Sequence, residues 1–321
     1  MFMTHSYKLA RRMARHRAPL LTALMLIAAC NSTDSLDQGS IVDTPTNDQP
    51  ATSELVPTTT VDAATTGTGG MPFGTFDQPI EVFGSQFNGG LRIITPSYLM
   101  KRLAEIKSRG GKVILDLAGS QRMWKDASGH FSMTKWKERV NRYKGLNFNS
   151  YINDGTIIGH YIIDEPNDPT NWNGRIVSAA TVEEMAKYSK QLWPNLATIV
   201  RSQPDFMATY SGTFRYLDAA WAQYVTRKGT ASDYLKKNLS YAQKKGLALV
   251  VGLNITHGGN GGTRMTPSQV KSFGTTMLSS SYPCAFISWT YSSSYLSGSY
   301  KDALSSLRAI TRNRSAKSCR S

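Results

Sequence analysis

Across residues 71–321, short apolar runs alternate with longer stretches whose apolar positions recur at helical spacing. Seven runs read as strands: Met71–Phe76, Lys112–Leu117, Thr156–Ile163, Ala197–Val200, Leu217–Tyr224, Leu247–Leu253 and Ala285–Trp289. Most are nearly continuous in apolar residues, as expected of strands buried on both faces of a parallel sheet. The stretches between them carry helix-start chemistry. Thr95-Pro96 places an N-cap before a Pro at the first helical position. Ser132 opens a segment with Met133, Trp136, Val140 and Tyr143 on one face. Thr181 and Glu184 form a capping-box pair for a helix running to Trp193, and Thr266-Pro267 with Gln269 repeats the device. Further helices cover 231–245 and 299–313. This alternation over 251 residues predicts a (β/α)8 barrel, a fold of about 250 residues. Seven strands are one short, so one is degenerate or hidden. An open doubly wound sheet is the alternative, although no GxGxxG follows a first strand. Gly258–Gly262 lacks the Lys-Ser/Thr ending of a phosphate loop and reads as flexible.

The N-terminal part follows other rules. Residues 1–18 are basic, and Pro19–Ala29 is an apolar run of eleven. A membrane-spanning helix needs about 20 residues, so 1–29 reads as a signal peptide. Residues 30–70 hold ten Thr and six Asp/Glu, with no Lys, Arg or aromatic residue. Such a stretch buries too little apolar surface to offset its ordering entropy, which makes it a disordered tether. The expected organisation is leader 1–29, tether 30–70 and barrel domain 71–321. Leu26-Ile27-Ala28-Ala29-Cys30 resembles the bacterial lipobox, which implies lipidation of Cys30 and an anchor in the cell envelope. Asn31 after the Cys, in place of the Asp of inner-membrane retention signals, favours the outer membrane.

Partitioned in this way, the charge changes meaning. The domain holds 32 basic and 16 acidic residues, while the tether is purely acidic. A basic domain suits an acidic glycan, lipopolysaccharide, an anionic membrane face or nucleic acid. The basic residues are scattered singly or in pairs such as Lys236-Lys237, without finger spacing or an aromatic-interleaved stripe, which argues against nucleic acid. With Cys30 assigned to lipid, Cys284 and Cys319 either form a disulfide pinning the C-terminal tail or leave Cys284 as a buried thiol. Neither has His or Cys at metal-ligand spacing, and no metal or other cofactor is expected.

In parallel α/β domains, chemistry gathers beyond the C-terminal ends of the strands. Those ends carry Arg122 and Trp124, then Asp164, Glu165 and Asp168 with Trp172 beyond, then Arg201, Trp221, Asn254 and His257, and finally Trp289 and Tyr291. The most specific segment is Gly159-His160-Tyr161-Ile162-Ile163-Asp164-Glu165-Pro166, two carboxylates at a strand end closed by Pro. It resembles the clan A glycoside hydrolases, in which a strand ends Asn-Glu-Pro or Asp-Glu-Pro. The resemblance implies that Glu165 donates the proton to a glycosidic oxygen and that Asp164 orients substrate. Trp289 matches the aromatic platform under a sugar ring, with Trp124, Trp172 and Tyr291 extending the cleft. Arg201 would bind an acidic sugar or pair with Asp164 or Glu165, while Asn254, His257 and Arg122 complete the substrate-binding set. His160, mid-strand, reads as an interior residue.

One departure weakens the match. The family places its nucleophilic Glu at the end of a late strand, where this chain has Asn254, and no Glu follows Glu184. The second carboxylate is Asp164, Asp116, Asp168 or Asp218, or there is none. Two functions therefore stand: a glycoside hydrolase acting on an envelope or extracellular glycan, and a non-catalytic carbohydrate-binding or surface-assembly lipoprotein on the same barrel.

Overall fold

The computed structural model describes residues 70–320. The expected signal peptide, the lipidated Cys30 and almost all of the tether lie outside the described residues. Within them eight parallel strands close a barrel in sequence order: β1 (Phe73–Phe76), β2 (Gly89–Arg92), β3 (Lys112–Leu115), β4 (Ile157–Asp164), β5 (Thr198–Arg201), β6 (Ala219–Tyr224), β7 (Ala248–Leu253) and β8 (Ala285–Ser288), which pairs back onto β1. Outside them pack α1 (Pro96–Ser108), α2 (Met133–Asn141), α3 (Asn149–Asn153), α4 (Ala179–Leu192), α5 (Pro204–Met207), α6 (Ala231–Lys244), α7 (Pro267–Met277) and α8 (Gly298–Arg312). The barrel is closed, and the open-sheet alternative falls.

The strand absent from the hydrophobic pattern is β2, Gly-Gly-Leu-Arg, with a single large apolar residue. Its neighbours supply the bulk that its side chains lack. A Cβ on Gly90 would sit 2.9 Å from both Gln78 and Phe83, and one on Gly89 would lie 2.8 Å from the backbone nitrogen of Phe73. Gln78 is fully buried, and its Oε1 accepts from the Thr75 backbone N–H at 2.9 Å. Asn88 Oδ1 likewise accepts from the Phe73 N–H. Polar side chains thus satisfy backbone donors that a buried strand edge would otherwise leave unpaired.

Two apolar layers result. Inside the barrel lie Phe76, Leu91, Ile114, Tyr161, Ile199, Trp221, Val250 and Ile287. Between strands and helices lie the larger outer clusters, including Leu99, Leu103, Trp136, Val182, Leu235, Val270 and Leu307. Helix starts follow the local chemistry with one correction. Thr266 and Gln269 form a reciprocal capping box at α7, and Ser132 caps α2. The helix expected to start at Thr181 instead begins at Ala179, where Ser178 Oγ accepts from the Thr181 N–H at 3.1 Å. Cys284 and Cys319 are disulfide-bonded, tying the segment after α8 to the start of β8. Burial puts Cys284 and Cys319 in the barrel's inner cluster.

Candidate active site

Four aromatic rings lie at and just beneath the C-terminal mouth of the barrel. Phe76 stands 4.8 Å from Trp221, 5.0 Å from Trp289 and 5.9 Å from Tyr161, centroid to centroid. Arg201, the last residue of β5, lies on this floor, with its guanidinium 5.8 Å from the Phe76 ring and 5.6 Å from the Trp289 ring. A register shift between Tyr161 and Ile163 brings Asp164 opposite Arg201 across the β4–β5 pair. The ion pair follows directly, with Arg201 Nε donating to Asp164 Oδ1. Arg201 Nη1 donates to Gln223 Oε1 at 2.6 Å, and Nη2 lies 3.3 Å from Glu165 Oε1. Burial opposes the Arg201 charge, yet Asp164, Tyr161 and Glu165 hold the guanidinium more firmly protonated than free arginine.

Glu165 occupies an uncommon backbone conformation, φ +37°, in the left-handed region that costs an L-residue about 1–2 kcal/mol. Three contacts hold it there. Its N–H donates to the Arg201 carbonyl at 2.9 Å, and its own carbonyl accepts from Asp168 N at 3.0 Å and Trp172 Nε1 at 3.2 Å. The carboxyl enters the wall of a cleft of about 280 Å³, lined among others by Asp168, Arg201, Gln223, Arg227, Lys228 and Asn254. Burial raises the Glu165 pKa above the ordinary carboxylate value against the opposing pull of Arg201, with Asp164 and Asp168 adding to the rise. A cleft carboxyl whose pKa is raised in this way is better equipped to donate a proton than a free one.

A second acidic group follows the neighbouring strand. Asp116 follows β3 directly, two residues beyond the inward-facing Ile114, rather than lying within the strand. Burial pushes its carboxyl up to about 7 against a 2.7 Å hydrogen bond from the Gly119 N–H, with the charges of Asp77 and Asp164 adding to the rise. Asp77 is raised by burial and opposed by Arg92 from β2. Neither Asp77 nor Arg92 was a candidate from the pattern, because the strand that presents Arg92 was hidden. Gln121 and Gln223, both placed at strand ends by the sequence, act as polar supports: Gln121 Nε2 donates to the Asp164 carbonyl at 3.1 Å, and Gln223 bridges Arg201 to the Leu253 carbonyl.

Several candidates stand elsewhere. Trp124 is 2% exposed and Trp172 0%; they pack 5.4 Å apart with Phe131, so they belong to the outer core rather than to the cleft. Trp172 acts on the site through Glu165, by holding its backbone carbonyl. Asp218 precedes β6 at the opposite end of the barrel, buried against Thr198 and Lys190, and is removed as a catalytic partner. Asp168 lines the cleft, although its Oδ1 is engaged by the Thr170 N–H and hydroxyl. Asn254 also lines it, while its Oδ1 accepts from the His257 N–H at 2.9 Å and from the Thr256 hydroxyl. His257 and Arg122 are exposed outside the cleft wall, and Tyr291 is half-buried beside Phe76, whose carbonyl accepts its N–H. Trp289 is half-buried next to the cleft, its ring carrying Arg201. His160 is fully buried with Nδ1 2.8 Å from Ser189 Oγ, as expected of an interior residue. Among the described residues no group of three or more His, Cys, Asp or Glu side chains gathers as a metal site.

Solved structures similar to this chain are glycoside hydrolases. Xylanase 10B from Thermotoga petrophila RKU-1, solved in complex with xylobiose, is 10% identical and matches 75% of this chain and 94% of its own, with a TM-score of 0.50. A GH18 chitinase from Pseudoalteromonas aurantia is 12% identical and matches 73% of this chain and 99% of its own, with a TM-score of 0.48. At 10% identity the likeness to the xylanase bears on the fold alone. No protein-family model matches the sequence, and no curated protein matches it.

Proposed function

We propose that the barrel mouth binds a glycan and hydrolyses it, with Glu165 donating the proton to the glycosidic oxygen. The observation that carries this reading is the Glu165 carboxyl itself, held in the cleft wall by a left-handed backbone and raised in pKa by burial. Hydrolysis also needs negative charge for the sugar carbon as the leaving group departs. Asn254 supplies none at the end of β7, so that charge comes from the adjacent Asp164, which Arg201 fixes at the mouth. Burial raises the Asp116 carboxyl to about 7, which disfavours its charged form near neutrality, so Asp116 is not the source of that standing charge.

The test is release of reducing ends by the purified full-length chain from a panel of neutral and acidic polysaccharides, beside Glu165→Gln and Asp164→Asn. General acid catalysis contributes about 100- to 10,000-fold, so Glu165→Gln should lose activity by that order with substrate binding retained. Binding without cleavage by the wild type would replace hydrolysis with the carbohydrate-binding reading, which Asn254 at the nucleophile position favours.

The basic leader, the apolar run and Cys30 support anchoring of the protein in the cell envelope, preferentially the outer membrane. Mass spectrometry of the mature N-terminus should find a diacylglyceryl group on Cys30 that Cys30→Ala removes together with membrane association. An unmodified Cys30 refutes the anchor.

A further inference from the structure

The cleft wall contains two cations that no acid among the described residues neutralises. Arg201 is committed to Asp164, Glu165 and Gln223, and Asp168 is engaged by Thr170. Arg227 and Lys228 line the same cleft, are exposed, and have no ion-pair partner among the described residues. They sit on a short 3-10 turn, Thr226–Lys228, immediately after β6. That turn is held at both ends. The Thr226 N–H donates to the Gly258 carbonyl at 2.8 Å, and the Gly229 carbonyl, just past the turn, accepts from Tyr224 Oη at 2.8 Å. Arg227 and Lys228 therefore both present positive charge to one cleft, and an anion bound there is attracted by both. A guanidinium fork beside an ammonium matches a carboxylate or sulfate, the first as a bidentate donor and the second as a point charge.

We propose that the cleft takes an anionic sugar residue, whose carboxylate or sulfate is received by Arg227 and Lys228 while the adjoining glycosidic bond faces Glu165. The inference rests on the glycan reading above and specifies its substrate class. The spacing agrees: neighbouring strands lie about 4.8 Å apart, so the ends of β4 and β6 are separated by about 10 Å, enough for a disaccharide unit. The polar cleft wall fits the same ligand, with Gln203, Gln223, Asn167 and Asn254 offering hydrogen bonds to hydroxyls. The surface charge of the domain as a whole attracts acidic polymers without selecting a site, so the experiment must separate the two effects.

Binding is measured by calorimetry on the full-length Glu165→Gln protein, which removes turnover. The probes are polygalacturonate and its fully methyl-esterified form, and dextran sulfate and dextran. The anionic member of at least one pair should bind at least tenfold more tightly than its neutral partner, and the pair that discriminates identifies the anionic group. Adding Arg227→Gln and Lys228→Gln should abolish that preference. Adding Lys236→Gln and Lys244→Gln instead, on the exposed face of α6, removes the same charge outside the cleft and should leave it intact. Equal affinity for both members of both pairs overturns the proposal, as does a preference that survives loss of Arg227 and Lys228 or falls equally with the α6 lysines. Glu165-dependent cleavage of neutral glycans alone would retain the hydrolase and overturn the anionic specificity. Selective anion binding through Arg227 and Lys228 without any cleavage by the wild type would do the reverse.

Discussion

His160 offers a test of the packing behind β4 that needs no substrate. Its imidazole is fully buried between Trp136, which it stacks on at 6.1 Å, and Trp193, with Nδ1 bonded to Ser189. With no carboxylate beside it, burial pushes its pKa down from 6.5 to about 3. The sign follows from linkage. Below pH 6.5 the unfolded chain takes up a proton that the folded protein refuses, so stability falls as pH drops, until the folded-state pKa is reached. From pH 7 to pH 5 the loss amounts to about 2 kcal/mol for this one group. Other groups titrate over the same range, Asp116 with the opposite slope, so the measurement is a difference. Urea unfolding of the wild type and of His160→Gln at both pH values separates the imidazole from the rest, since glutamine keeps a polar partner for Ser189 and does not titrate. Between pH 7 and pH 5 the wild type should lose about 2 kcal/mol more than the variant. Parallel losses would mean that His160 is solvated or paired when protonated, and the buried neutral imidazole would be wrong.

The remaining predictions concern the same scaffold. Glu183 is buried and accepts from the N–H groups of Arg215, Tyr216 and Leu217, so Glu183→Ala should cost about 3 kcal/mol in urea unfolding by orphaning three backbone donors, of which that of Leu217 is buried. An unchanged midpoint would show that the loop before β6 finds other acceptors. The Cys284–Cys319 disulfide closes a loop with a sequence separation of 35, for which chain entropy gives about 4 kcal/mol, so Cys319→Ser should lower thermal stability markedly and make it insensitive to reductant. Arg201 opposes the raised pKa of Glu165, so in Arg201→Met the alkaline limb of kcat/KM against pH should move to higher pH while the rate falls. A limb that stays in place would mean that a group other than Glu165 sets it.

Elements whose own residues carry the signal are legible without coordinates. The capping box of Thr266 and Gln269, the N-cap Ser132 and the apolar runs of β4 and β7 depend on neighbours within a few positions, and the fold uses them as expected. The Asp164-Glu165-Pro166 ending belongs to the same class, because strand, turn and carboxylates are contiguous. The pattern failed where a side chain's meaning depends on distant partners. β2 is a strand of glycines that Gln78 and Phe83 render buried, and no local periodicity records that. Trp124 and Trp172 stand at strand ends like cleft residues, yet they pack on each other and on Phe131.

The alternation of strand and helix, the location of most boundaries and the strand that bears the acid are therefore written in the chain itself. Local hydrogen bonding and apolar periodicity set these within windows of a few residues. Barrel closure decided the rest. It seats Arg201 against Asp164 from 37 positions away, puts Arg227 and Lys228 in the same cleft wall as Glu165, and removes Asp218 to the opposite end. The physical reason is that charge, burial and pKa are properties of an environment, and each environment at this mouth is assembled from loops that follow different strands.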